Sequence, residues 1–388
     1  MLAKWYYVKV MKRISNSNIL FIHRMLKGIA DAIISVFIPL LIYKQTGNLV
    51  LSFVFIVVQR TSMCFYGALF KKFIIKHPVT CITIHAIPAI VSLLLLTLTL
   101  TWPLIILLGL LAGLTNIFYY MGLHFIFGFV DKPSSTAKFL SAAAIGKIVF
   151  TILSAYIIGN FKDSLIFVIV TSCILYAISV IPLMARHKEF SELIAIDNPH
   201  SPKEILKNGK WFYFYEMCLG AVNMLISTVL PLFLYCNGLS FTKTGILIAM
   251  QDLINIAGNY FAHLFVKERK IKFIMIFSAI LLFGCIASMM FVREIYVIYI
   301  LSIVASFAYQ SHSTASFQLF VKYQRSYGYY EEALFYREFA LDSSRTISVA
   351  NYIFLQLFSF IFVISLVAVV GLGAFGCMID SKYITEQP

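Results

Sequence analysis

The chain has 388 residues, 61% of them hydrophobic and 12% charged, with a mean hydropathy of +0.89 and a formal net charge of +14. A soluble chain carries charge on roughly a quarter of its residues, so these figures exclude a soluble domain and indicate an integral membrane protein. The basic surplus does not call for nucleic acid, because membrane proteins fix their orientation with Lys and Arg on the cytoplasmic side.

Apolar blocks long enough to cross roughly 30 Å of hydrocarbon recur along the chain, and in lipid such blocks must be helical. Hydropathy predicts twelve spans at 19–43, 49–70, 79–100, 103–129, 136–158, 163–184, 211–236, 241–265, 272–292, 295–321, 333–357 and 358–379. Most connections are short and carry turn residues, such as Thr46-Gly47-Asn48, Lys76-His77-Pro78 and Asn237-Gly238. The long polar one, with Pro199 and Pro202, lies between spans six and seven. The expected division is a six-helix bundle over 1–184, a cytoplasmic linker over 185–210 and a second six-helix bundle over 211–388. With the N-terminus inside, 21 of the 31 basic residues fall on the cytoplasmic side. Lys44, Lys162, Lys243 and Arg293 fall opposite, and the other six lie within spans. The bias places both termini in the cytoplasm. No cleavable signal is expected, because Lys4, Lys9, Lys12 and Arg13 lead into a full-length span. The seven cysteines are scattered singly, without metal-ligand spacing, and are expected to pack.

The two bundles carry an internal repeat. Residues Arg24–Tyr43 and Glu216–Tyr235 align without gaps at an offset of 192, matching Met25/Met217, Gly28/Gly220, Ile34/Ile226, Ser35/Ser227, Pro39/Pro231, Leu40/Leu232 and Tyr43/Tyr235. The same offset sets Gln59 against Gln251 and Arg60 against Asp252. Parallel repeats of about six helices, with the substrate site between them, are an architecture of secondary transporters.

An ionisable group deep in a span costs several kcal/mol unless it is paired or faces water. The central ones are Asp31, Arg60, Lys147, Asp252, Asp342 and Arg345; Arg24, Lys27, Glu216, Arg337 and Glu338 lie nearer the cytoplasmic end. Three acids and three bases at the centre point to mutual neutralisation. Spans three, six, nine and twelve contain no Asp, Glu, Lys or Arg in their interiors, as expected if every third helix lies outside a central cavity. Arg337, Glu338, Asp342 and Arg345 follow helical spacing, which favours one long eleventh helix with a polar stripe turned inward.

These features resemble the major facilitator superfamily over essentially the full length. The loop after span two resembles its signature in Gly67, Leu69, Lys72 and Lys76, but Lys71 stands where the family has an acid and Ile74 where it has a glycine. The Gly-Pro motif of drug/proton antiporters is absent from Ser141–Lys147. The resemblance implies an all-α polytopic fold of twelve transmembrane helices in two pseudo-symmetric bundles. It also implies a cavity lined by helices one, four, seven and ten, with helix two meeting eleven and five meeting eight. Arg60 would then pair with Asp342, and Lys147 with Asp252, either as switching contacts or as static structure.

Asp31 is the candidate for proton coupling, since its repeat partner is the uncharged Asn223; the alternative is a permanent i, i+4 pair with Lys27. Arg24, Lys27, Gln59, Glu216, Gln251, His312 and Arg345 are expected to contribute to a substrate cavity, and Gly67, Lys71, Lys72 and Lys76 to a gating loop. His124 and His85 read as structural histidines. The aromatics Phe118, Tyr119, Tyr120, Trp211, Tyr213 and Tyr215 read as packing or interfacial groups. No phosphate-binding loop occurs. The expected function is secondary active transport of a small polar or amphipathic solute across the cytoplasmic membrane, coupled to protons or another ion. A lipid flippase or exporter on the same fold is the alternative, with a non-transporting membrane protein or an embedded enzyme further off. No cofactor, metal or nucleic acid is expected; the partners are the solute, the coupling ion and the bilayer, and the chain is expected to be a monomer.

Overall fold

A computed structural model describes residues 16–130, 136–161, 164–192, 202–267, 270–326 and 330–378. Lys4, Lys9, Lys12, Arg13, Lys132, Lys162, Arg269 and Lys382, on which the expected orientation partly rests, lie outside these residues. The described chain is helical throughout. In order, the helices are α1 (Asn16–Ile33), α2 (Ile38–Thr46), α3 (Leu49–Lys76), α4 (Pro78–Ile84), α5 (Ala86–Leu95), α6 (Trp102–Val130), α7 (Thr136–Asn160) and α8 (Ser164–Met184). There follow α9 (His187–Glu192), α10 (Pro202–Met224), α11 (Leu230–Cys236), α12 (Phe241–Lys267), α13 (Ile271–Phe291), α14 (Ile295–Ser326), α15 (Tyr330–Leu355) and α16 (Phe358–Met378).

Among the described residues, nine helices are long and apolar enough to cross a membrane, or ten if the bent pair α1 and α2 forms one span. The other two predicted spans, within α12 and α15, are helical but too rich in polar groups to qualify by composition. Large apolar side chains cover the outside: Phe291 is 86% and Phe354 82% exposed. This is a polytopic membrane surface, with lipid as its solvent.

Prolines explain where the predicted spans break. Pro39 and Pro231 lack an N–H and press on the carbonyl four residues earlier, at the aligned Ser35 and Ser227. The first copy answers with a 3-10 turn over Ser35–Phe37 and a 43° bend, the second with a π turn over Leu225–Val229. Equivalent sites thus leave the α-helix by tightening in one copy and widening in the other. The third span, predicted as continuous over 79–100, is broken at His85 and ends at Leu95. Pro88 has no N–H to offer the carbonyl of Ile84. Between α2 and α3, Gly47 adopts φ 65° and closes one helix, while the Asn48 side chain accepts from the N–H of Val50 at 2.9 Å and opens the next.

Packing within residues 16–184 recurs within residues 202–378. The crossing of α1 with α7 matches that of α10 with α15; α3 with α6 matches α12 with α14; α1 with α8 matches α10 with α16. The aligned glycines sit at two of these crossings. A Cβ on Gly28 would lie 2.5 Å from the carbonyl oxygen of Ala143, and one on Gly220 2.4 Å from that of Leu341. Only a residue without a side chain permits such close approach, the usual device for helix association in lipid. The two sets meet along two seams, α7 against α12 and α3 against α15.

Two boundaries differ from expectation. The segment with Gly67, Lys71, Lys72 and Lys76, expected as a gating loop, forms the last turns of α3. Terminal basic residues lower the local hydropathy without ending the helix. The polar connection expected over 185–210 is shorter too, because α9 occupies its start and α10 begins at Pro202.

Candidate functional site

A cavity of about 480 Å³ lies between the two sets of helices. Its wall draws on α1, α3, α6 and α7 from the first set and on α10, α12, α14 and α15 from the second. Spans three and six add only Ala89, Ser92 and Tyr176, and α13 and α16 add nothing. Nine expected site residues line it: Arg24, Lys27, Asp31, Gln59, Arg60, Lys147, Gln251, Asp252 and Arg345.

The charges form two clusters. In the first, Lys27 Nζ donates to Asp31 Oδ2 at 2.6 Å along α1, the i, i+4 pair recognised as the alternative to a free Asp31. The Tyr176 hydroxyl, itself 3.0 Å from Ser35 Oγ, also donates to Asp31. Lys27 lies over the Tyr119 ring at 4.1 Å, where the π face adds to its stabilisation. Lys147 shares the cavity wall with Asp252 and Asp31. Lys147 and Asp252 form no ion pair within 4.0 Å, so they face each other without touching.

In the second cluster, Asp342 stands behind the wall between two guanidinium groups. Arg345 donates to it at 2.9 Å along α15, and Arg60 reaches it from α3 at 3.5 Å. Nearer the end of α15 that carries Glu338, Arg337 donates to Glu216 at 3.0 Å and to Glu338 at 2.6 Å. His124 of α6 lies 3.2 Å from Glu338. A chain of polar contacts thus runs from α10 through α15 to α6. Its His124–Glu338 link is absent from the sequence-based expectations. The signal was a histidine and an unpaired acid near one end of their spans, but neither position names the other.

Two residues expected in the cavity, Glu216 and His312, fall elsewhere. Glu216 is fully buried outside the lining, held by Arg337. His312 is turned from the cavity onto α13, where its Nδ1 lies 2.8 Å from Ser278 Oγ and its ring stacks on Tyr215 at 5.5 Å. Gly67 admits Ile117 and Phe335 at 3.3 Å from its missing Cβ, outside the cavity wall. Lys71 lies over Phe335 and Tyr336 at 5.1 and 5.0 Å, while Lys72 and Lys76 are exposed. Tyr119 and Tyr120, read as packing groups, do line the cavity.

Both ends of the cavity are bridged by contacts between the two sets. At one, the repeat-equivalent Tyr43 and Tyr235 meet edge to face at 6.0 Å, Phe37 packs on Phe241 at 5.2 Å and Phe53 stacks on Tyr352 at 4.1 Å. Equivalent residues that touch each other must lie beside the axis relating the copies. At the other end stand His124 with Glu338 and His124 with Phe317 at 5.5 Å.

No family model and no curated protein matches the chain. Among solved structures it resembles a bacterial homologue of the iron transporter ferroportin, in three structures that represent outward-facing and inward-facing states. The outward-facing state with soaked iron gives a TM-score of 0.72 at 13% identity, and a second structure in the outward-facing state gives 0.70 at 12%. The inward-facing state gives 0.66 at 13%. Each comparison covers 96% of this chain and 100% of the other. At such identity the likeness is one of fold, and the fold is that of a polytopic, MFS-like helical protein.

Proposed function

We propose that the protein is a secondary active transporter that moves a small polar or amphipathic solute across the cytoplasmic membrane by alternating access, coupled to protons. In this account residues 1–184 and 211–388 are two six-helix bundles, joined by 185–210. They cross the membrane twelve times in all, with both termini in the cytoplasm, and rock about the cavity. The observation that carries the proposal is a charged cavity walled by both repeat copies and bridged by them at both ends. A structural protein has no use for so many ionisable groups on an internal void, each costly to hold in a membrane. The solved neighbours of the same fold are named as transporters in outward- and inward-facing states, which supports transport over catalysis. Among the described residues no group of three or more His, Cys, Asp or Glu could hold a metal ion.

Asp31 supplies the coupling. It lies on the cavity wall and holds Lys27; protonation removes its charge and frees Lys27 to meet the solute. Whether the Lys27 pair and the Arg60–Asp342 pair open during the cycle decides between switching and static roles. The test is uptake and efflux in proteoliposomes under an imposed pH gradient, screened over metabolite pools. The wild type should accumulate a solute against its gradient, and Asp31→Asn should lose accumulation while retaining exchange. Unchanged uphill transport in Asp31→Asn would rule out the coupling role.

A further inference from the structure

Most charges on the cavity wall are already held. Lys27 and Asp31 pair along α1, Arg60 and Arg345 share Asp342, and Arg337 holds Glu216 and Glu338. Lys147 and Asp252 differ. Both line the cavity, and among the described residues neither side chain has an ion pair or a hydrogen bond. They also stand level with each other. Helices α7 and α12 run antiparallel, with Asn259 donating to Ser141 at 3.0 Å and Ala155 packed on Gly245. Lys147 and Asp252 lie midway between those two contacts, one on each helix. The small residues at the crossing fix the two backbones, so a helix shift does not bring the charges together. Ala143 and Ala144, one turn before Lys147, line the wall and leave room for a guest.

Opposite charges that face a cavity without touching are each costly inside a membrane. A guest that carries both charges satisfies the two at once and leaves the net charge of the wall as it was. The acidic side shows what kind of cation fits. Asn255 follows Asp252 at i, i+3, so the two share a face of α12, and it too lines the cavity. Among the described residues its Oδ1 is buried without a hydrogen-bond partner. An unused amide oxygen beside an unused carboxylate calls for one group with several N–H donors, and a primary ammonium has three. On the opposite helix Lys147 offers donors only, which suits a carboxylate.

We infer that the solute is a small zwitterion, its carboxylate held by Lys147 and its primary ammonium by Asp252 and the Asn255 amide oxygen. The inference rests on the transport proposal and names the class of its solute. Because each copy of the repeat supplies one half of the site, the zwitterion spans the α7–α12 seam and draws the two helix sets onto a single molecule.

The test is thermal unfolding of the purified full-length chain in detergent at fixed pH and ionic strength. The probes are L-alanine, L-serine, L-glutamine, L-leucine, L-phenylalanine, β-alanine and γ-aminobutyrate. Each is compared with its N-acetyl, carboxamide and N-trimethyl derivatives. At least one parent zwitterion should raise the midpoint by ~2 °C or more. Its three derivatives should need about 10-fold higher concentration for the same shift. Lys147→Gln should abolish the preference for the acid over its carboxamide while keeping the preference for the free amine over its N-acetyl form. Asp252→Asn should do the converse. Lys147→Arg and Asp252→Glu should keep both preferences. A merely structural role would weaken all ligands alike, and that result overturns the inference. So does a wild type that no zwitterion stabilises, or that a blocked derivative stabilises equally well. If a neutralised variant does not fold, the wild-type panel and the conservative variants decide. Zwitterion binding without uphill movement in proteoliposomes would sink the transport proposal alone. Uphill movement of a solute that is not a zwitterion would sink this inference alone.

Discussion

The two seams between the repeat copies occupy equivalent places and are built from different chemistry. Where α7 meets α12, the contact is made of small residues. A Cβ on Gly245 would fall 2.1 Å from the Cβ of Ala155, one on Gly159 2.9 Å from Thr242 Oγ1, and Asn259 donates to Ser141 at 3.0 Å. Where α3 meets α15, the helices are joined by larger groups: the stacked rings of Phe53 and Tyr352, Cys64 against Ser343 at 3.7 Å, and the Arg60–Asp342 contact. Close backbone packing gains dispersion along its whole length and tolerates no insertion. Rings and ion pairs can part and re-form.

The repeat also explains the charges on each seam. The crossings at Gly28–Ala143 and Gly220–Leu341 bring Lys147 and Arg345 into register, each four residues beyond its contact. Arg60 and Asp252 are equivalent by the offset of the first helices. One seam therefore carries the opposite charges Lys147 and Asp252, which form no ion pair within 4.0 Å. The other sets Arg345 against Arg60, like charges, and needs Asp342 between them, at the place corresponding to Ala144. The repeated scaffold thus carries the same geometry on both sides with different ionic contacts.

Substitutions that exchange the character of the seams should differ in a fixed order. The largest loss belongs to Gly245→Leu, which forces a side chain into the close-packed seam. It should cost about 3 kcal/mol or more, read as loss of the monodisperse peak and a lowered unfolding midpoint. Next comes Asp342→Asn, which leaves two guanidinium groups without their shared acid. A loss of about 3 kcal/mol is expected, and Arg60→Gln in the same chain should restore part of it, a coupling that a double-mutant cycle measures. The reversal Arg60→Asp with Asp342→Arg should recover more transport than either single change, as should Lys147→Asp with Asp252→Lys. If both double swaps are as inactive as the singles, the seams do not pair as described. Smallest is Tyr43→Ala, which removes one aromatic contact beside the axis and should cost about 1 kcal/mol in unfolding experiments.

Much of this was visible in the sequence, for physical reasons that also set its limits. Apolar blocks marked the helices because lipid demands them, and Pro39 with Pro231 marked the repeat because proline breaks a helix at a fixed distance. Charges in apolar surroundings announced themselves, so Arg60 and Asp342 could be paired once two helices were set side by side. What stayed hidden depends on rotation and register between helices remote in sequence. His312 turns toward α13 rather than inward, and Glu216 is drawn to Arg337; a hydropathy profile does not report which way a side chain faces. Tyr176 on Asp31 and His124 on Glu338 are partners of the same kind. The end of α3 was missed for another reason: Lys71, Lys72 and Lys76 lower hydropathy while remaining good helix formers.

The central claim is that the two helix sets rock about the cavity, opening one bridged end as the other closes. Spin-label distance measurements on a cysteine-free background test it most directly, with one pair at positions 46 and 238 beside Tyr43 and Tyr235, and another at 72 and 336 beside the opposite bridge. The account predicts that lowering pH, or adding a solute that stabilises the protein, shifts the two distance distributions in opposite directions. Distributions that stay single and fixed at both ends, or that widen together, would contradict it.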